Sequence, residues 1–248
     1  MDLSKYLPSV SVDCVVFGFH ENQLRVLLLK LKQTDIWALP GGFIETSKSA
    51  EAAADLILKD RTGLENIYQQ QFHIFTDPKR SDSDHIQILI DRDILHKSVK
   101  EWFEKRFVSI GFYALVEYSK VNEPMPDSIS DRCEWVSIEE LPNRLLFDHQ
   151  KIINLAYNKL QKGLYQKPLG INLLPEKFTM PELQALYETI LQKKIDRRNF
   201  RRKMLSLNIL TDTNERRMGS SNRAPIIYEF DKKKYHEVLE EGYHVNFF

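Results

Sequence analysis

The run Arg197-Arg198-Asn199-Phe200-Arg201-Arg202-Lys203 concentrates the side chains best suited to grip phosphate. Between Lys193 and Arg223, ten basic residues face three acids, Asp196, Asp212 and Glu215.

 The ten are Lys193, Lys194, Arg197, Arg198, Arg201, Arg202, Lys203, Arg216, Arg217 and Arg223. A local surplus of seven on a chain of zero formal net charge points to a polyanion partner, because neutralised phosphates dominate nucleic-acid affinity. Each guanidinium is a planar fork that bonds phosphate, or guanine O6 and N7, in two places at once, and Asn199 has the chemistry to pair with adenine. A charge run is ordinarily just a solvated helix face. Two features argue otherwise: acids are sparse within it, and Arg216, Arg217 and Arg223 repeat the basic character downstream.

Such side chains need a scaffold, and the pattern around them supplies one. Thr179 with Glu182 three residues on reads as a capping box that starts a helix. Leu183, Leu186, Tyr187, Ile190 and Leu191 form its core stripe. Asp196 can cap the next helix, 197–205. At about 100° per residue, Arg197, Arg198, Arg201 and Arg202 share an arc of roughly 140°, with Phe200, Met204 and Leu207 on the adjoining side. Two β-runs at 209–210 and 226–230, joined by a polar loop over 211–225, complete a winged helix-turn-helix. In that motif the second helix enters the major groove and the wing touches the flanking backbone.

The N-terminal part has a different pattern. Strands are expected at 10–19 and 23–31, joined by Glu21-Asn22, and again at 67–75, 108–118 and 133–137. A helix over 47–61 buries Ala50, Ala53, Ala54, Ile57 and Leu58 as one stripe. A second turns helical from about 143 to 161. Residues 81–107 read as an insertion with apolar residues (Leu95, Val99, Trp102, Phe103) at helical spacing, a small helix covering a sheet edge or else a lid or oligomer contact. Pro168, Gly170 and Pro175 mark 166–178 as a linker. The expected organisation is therefore 1–165, the linker, and 179–248.

A chain of 248 residues has room for two modest domains. Cys14 and Cys133 are too few for a disulfide framework and lack metal-ligand spacing, which fits a reducing cytoplasm. No signal-peptide pattern opens the chain, and no run of about 18 apolar residues suggests a membrane span.

The stretch Trp37-Ala38-Leu39-Pro40-Gly41-Gly42-Phe43-Ile44-Glu45, with a helix closing at Thr62-Gly63-Leu64, resembles the Nudix family. Counted from Gly42, the places where that family's box sets its acids hold Lys48, Ile57 and Arg61; Asp60 keeps a carboxylate. A magnesium site for pyrophosphate chemistry needs carboxylates together with substrate phosphates. The expectation is a retained fold with no catalytic residues, metal or cofactor. The segment from Phe178 to Glu188, with Ile195-Asp196 and the arginine run, resembles the Nudix-related transcriptional regulators. That resemblance implies an α+β chain: a Nudix-like α/β/α sandwich with a mixed sheet, then a winged helix. It also implies a dimer that binds operator DNA, represses or activates, and responds to a metabolite.

Val12-Asp13-Cys14 and Phe147-Asp148-His149 are similar to the sugar-responsive branch. Phe75-Thr76-Asp77-Pro78-Lys79-Arg80 only partly keeps the pattern of the ADP-ribose responders. A sugar site needs fixed polar groups and a flat apolar wall. Asp13, Lys30, Trp37, Gly42, Phe43, Glu45, Arg80 and Asp148 are the candidate set. A pentose effector is the first expectation and ADP-ribose the alternative. A working hydrolase with an appended DNA-binding domain, using Glu45, Glu51 and Asp60, is the rival class.

Overall fold

Val12, Cys14 and Val16 alternate with Asp13, Val15 and Phe17 along strand β1 (Tyr6–His20), and all six are buried. A strand covered on both faces belongs in the middle of its sheet. The structure, a computed structural model, describes residues 3–80, 83–103, 105–121, 123–217 and 224–241. Arg223 lies outside the described residues.

The chain divides into two compact units, one of Met1–Gly18, Arg25–Val116 and Lys120–Ala156, the other of Phe19–Leu24, Glu117–Ser119 and Tyr157–Phe248. In the first, β1 lies between β2 (Gln23–Leu31) and β6 (Val108–Val116), with β3 (Trp37–Ala38) and β5 (Tyr68–Phe75) at the ends of a seven-stranded sheet. Strand β4 (Gly41–Glu45) pairs with β1 and β7 (Ser130–Ser137) with β2. The β1–β6 pair is parallel and the others are antiparallel, so the sheet is mixed. The short β3 and β4 flank Pro40, and Gly41 and Gly42 open β4, so no apolar alternation marks either as a strand.

Helix α1 (Ala50–Thr62) begins where Ser49 Oγ accepts the Ala52 N–H at 3.2 Å. It stops at Gly63, whose φ of 71° is left-handed backbone that glycine adopts without a Cβ clash. Its expected stripe is inward: Ala53, Ala54 and Leu58 are buried, with Ala50 and Ile57 partly so, against Val12, Cys14, Val16 and Phe112. The insertion contains α2 (Ser83–Asp91), a 3-10 turn (Lys97–Val99) and α3 (Lys100–Phe103), two helices rather than one. Helix α4 (His149–Gly163) begins after Asp148. Both cysteines are free and buried, and burial pushes the Cys14 thiol far above its ordinary pKa.

In the second unit the capping box forms as expected. The Thr179 N–H donates to Glu182 Oε2 at 2.7 Å, and the Glu182 N–H to Thr179 Oγ1 at 3.4 Å. This starts α5 (Met180–Leu191), and Asp196 Oδ1 starts α6 (Arg197–Ser206) by accepting the Asn199 N–H at 2.8 Å. Strands β8 (Phe178–Thr179), β9 (Leu210–Arg216) and β10 (Ile226–Phe230) form a sheet in the order β8-β10-β9, and α7 (Lys232–Glu241) follows. The segment expected as a linker is folded. It holds a 3-10 helix, Leu169–Asn172, with Leu169, Leu173 and Leu174 buried, and a Cβ at Gly170 would lie 3.0 Å from Leu183. Pro168 and Gly170 thus shape a packed turn.

Candidate effector cavity and nucleic-acid interface

Asp13 and Arg80 are both buried, and they meet. Arg80 Nη2 donates to Asp13 Oδ2 at 3.2 Å and to Asp148 Oδ1 at 3.0 Å, while its Nε donates to Asp148 Oδ2 at 3.3 Å. The guanidinium therefore grips Asp148 with two nitrogens, an arrangement that fixes direction as well as charge. Ser109 Oγ donates to Asp13 Oδ2 at 2.5 Å. His149 completes the network: its Nδ1 accepts the Leu39 N–H at 2.9 Å, which leaves the proton on Nε2, 3.6 Å from Asp13 Oδ1. Burial pushes the His149 pKa down, against the opposing pull of Asp13 and Asp148, so the ring is held neutral.

Asp13, Arg80 and His149 line one side of a cavity of about 180 Å³ in the first unit. Leu29, Leu31, Ala38, Leu39 and Leu146 supply an apolar wall. Phe43, Phe103 and Phe107 supply rings, with the Phe43 centroid 5.7 Å from each of the other two. Phe103 and Phe107 show that the insertion helps to enclose the cavity. Gly41 lets β4 pass close to the acid, since a Cβ there would stand 2.9 Å from Asp13 Oδ1 and 2.8 Å from the Val12 carbonyl oxygen. Phe147 also lines the cavity, at φ 48°, a left-handed backbone that is uncommon for a bulky residue. Its N–H donates to His85 Nδ1 at 3.1 Å.

Of the eight expected effector residues, Asp13, Gly42, Phe43 and Arg80 line the cavity, and Asp148 anchors Arg80. Lys30, Trp37 and Glu45 do not line it. Side chains alternate along a strand, so Leu29 and Leu31 facing the cavity turn Lys30 to the other side of the sheet. Trp37 is opposite Lys30 in register, and Ala38 is the β3 residue at the wall. Glu45 instead pairs with Lys48 at 3.1 Å. Sequence reasoning missed Ser109, His149, Phe103 and Phe107. His149 adjoins Asp148 in a segment already singled out; the others carried no local signal.

Around the box, the Ile57 side chain packs by Gly42, where a Cβ would lie 3.5 Å from Ile57 Cδ1. Arg61 Nη1 donates to the Met125 carbonyl at 2.9 Å. Among the described residues, no three His, Cys, Asp or Glu side chains gather to hold a metal ion.

In the second unit, Phe200 and Met204 are fully buried while Arg197, Arg198, Arg201 and Arg202 are exposed along α6. Asn199 Oδ1 accepts from Arg202 Nη2 at 2.9 Å, and Lys203 is half-buried. The α5–α6 turn is fastened by Glu188, which accepts the Ile195 N–H at 2.9 Å and pairs with Lys194 at 3.0 Å. Burial alone would raise the Glu188 pKa, but these bonds and one from Gln184 hold it below the ordinary value. Two of the downstream arginines are engaged within the domain: Arg217 pairs with Glu182 at 3.1 Å, and Arg216 Nη1 donates to the Ala224 carbonyl at 3.1 Å.

Fold and side chains together define a sheet domain with a cavity at its mixed sheet, followed by a winged helix with a basic second helix. Residues 7–156 match the NUDIX domain family, and residues 170–230 match the NrtR DNA-binding winged helix domain. The chain belongs to the NUDIX family, and it pairs that domain with a winged helix of the NrtR type. It is 27% identical over 234 residues to the ADPR responsive transcriptional repressor NtrR of Acinetobacter baylyi, covering 92% of this chain and 84% of that one. An ADP-ribose pyrophosphatase of Methanocaldococcus jannaschii is 28% identical over 160 residues, 61% of this chain and 77% of the relative. Among solved structures, Shewanella oneidensis NrtR in complex with a 27mer DNA superposes with a TM-score of 0.73 at 26% identity, covering 92% of this chain and 95% of that one.

Proposed function

We propose that the chain is a transcriptional repressor that binds operator DNA through α6 and senses an ADP-ribose-like nucleotide in the cavity of its NUDIX domain. The observation that carries this reading is the likeness, over 92% of the chain, to an ADPR responsive repressor. The solvent-facing arginine row of α6 gives that likeness a physical basis. A pentose was the first expectation from the sequence; the likeness favours the ADP-ribose alternative instead. The protein works as a cytoplasmic homodimer, with two recognition helices reading two half-sites. No helix among the described residues is long and apolar enough to cross a membrane.

The test is a titration of a duplex, selected by the full chain from random sequence, with and without ADP-ribose. Two linked sites typically couple by about 1–3 kcal/mol, so ADP-ribose should shift duplex affinity by about 5–150-fold. An unchanged affinity would overturn the effector assignment.

The box residues present do not fit a divalent cation: an isoleucine and an arginine offer no anionic oxygen, and Glu45 is engaged by Lys48. ADP-ribose with magnesium should therefore remain intact in the presence of the protein. Turnover of about 1 per second or faster, ordinary for an enzyme, would restore the hydrolase reading.

A further inference from the structure

Asp13 Oδ1 and His149 Nε2 stand 3.6 Å apart beside the cavity, beyond the range of a good hydrogen bond. The other Asp13 oxygen takes both Arg80 and Ser109. The first oxygen therefore keeps acceptor capacity on a residue only 7% exposed, next to a neutral imidazole whose Nε2 carries a proton. A pair so spaced has no room for an atom in line between them, but a group on the cavity side, about 2.8 Å from each, can give a hydrogen bond to one and take one from the other. An alcohol does so: its proton goes to Asp13 and its lone pair receives the His149 N–H. A phosphate oxygen has no proton for the carboxylate.

Charge selects the same way. Among the described residues, Asp13 and Asp127 line the cavity and Asp148 stands behind Arg80, three acids against the one guanidinium of Arg80, whose Nε and Nη2 are already bonded to Asp148 and Asp13. A phosphate entering here would meet surplus negative charge. Size agrees as well. About 180 Å³ is below the roughly 300–1,000 Å³ of pockets that enclose whole drug-sized ligands, but it holds a single sugar ring against the Leu31–Leu146 wall.

We propose that Asp13 Oδ1 and His149 Nε2 jointly hold one uncharged hydroxyl of the effector, so that the terminal, base-free ribose ring enters the cavity and the phosphates stay outside it. This rests on the ADP-ribose-like reading, and the experiment separates the two. Isothermal titration of the full chain compares ADP-ribose, ADP, D-ribose and inorganic pyrophosphate. ADP-ribose should bind at least about tenfold more tightly than ADP, because the one ribose of ADP carries the adenine and cannot enter so small a cavity, and a site built for a ligand hydroxyl discriminates against a ligand that cannot present it. Pyrophosphate should not compete. Asp13→Asn and His149→Gln should each erase the preference for ADP-ribose over ADP.

Equal binding of ADP-ribose and ADP, or competition by pyrophosphate, would overturn the hydroxyl site while leaving the effector reading intact. If ADP-ribose does not bind but D-ribose does, with loss in Asp13→Asn, the effector reading falls and the hydroxyl site stands. Binding of neither overturns both. The wild-type ligand series needs no variant, so it decides even if Asp13→Asn misfolds.

Discussion

Arg80→Ala is expected to lower folding stability by about 3–5 kcal/mol, the usual result of removing one partner from a buried ion pair. The Arg80 side chain is 5% exposed, and its partners Asp13 and Asp148 are 9% and 13% exposed. Truncation strands two carboxylates near one another with no cation between them. Ser109 continues to serve Asp13, but a hydroxyl offsets only part of a charge. Arg80→Lys should recover less than half of the loss, since an ammonium cannot reproduce the two-nitrogen grip on Asp148. Urea unfolding followed by fluorescence measures each variant. Combining Arg80→Ala with Asp148→Asn should be less damaging than the sum of the two, because the second change removes a charge that the first left unpaired. If Arg80→Ala unfolds within about 0.5 kcal/mol of wild type, as a surface substitution would, the network does not hold the cavity together.

This network also shows how far the sequence could be read. Asp13, Arg80 and Asp148 were identifiable as candidates, although 67 and 68 positions separate Arg80 from its two acids. Family likeness alone links them in the sequence, since periodicity carries no information at that separation. Lys30 and Trp37 failed for a reason visible in hindsight. Leu29 and Leu31 flank Lys30, and a strand that turns its leucines to a cavity must turn the lysine away. Phe103 and Phe107 could be seen as apolar residues of an insertion, but what they cover depends on how the insertion folds back.

Helices were legible because caps and stripes are local. Ser49, Gly63, Thr179, Glu182 and Asp196 each act within a few residues of their own position. Strand β9 was not. Thr211–Arg216 is mostly exposed, so no alternation of apolar residues announces it, and its pairing with β10 comes from the partner strand. The 3-10 helix at Leu169–Asn172 was hidden by its own Pro and Gly, which signal a turn equally well in a linker and in a packed corner.

Arg198→Ala and Phe200→Ala, two positions apart on α6, should fail in opposite ways. Arg198 is exposed and Phe200 is fully buried, with its ring 5.4 Å from that of Tyr187. Phe200→Ala should lose about 3–5 kcal/mol of stability, the cost of deleting a core aromatic and leaving a cavity. Arg198→Ala should melt like wild type yet bind the operator more weakly. If the guanidinium meets a base edge, the loss is about 1–3 kcal/mol and specificity relaxes at one position. If it meets phosphate, all sequences weaken alike and the salt slope falls by about one unit. Arg202→Ala should add a further effect, because Arg202 Nη2 also bonds Asn199 Oδ1 and its removal frees that side chain. Gel-shift titrations at several salt concentrations, run beside thermal melts, separate these outcomes. If Arg198→Ala and Arg202→Ala both bind the operator as wild type does, α6 is not the helix in the groove.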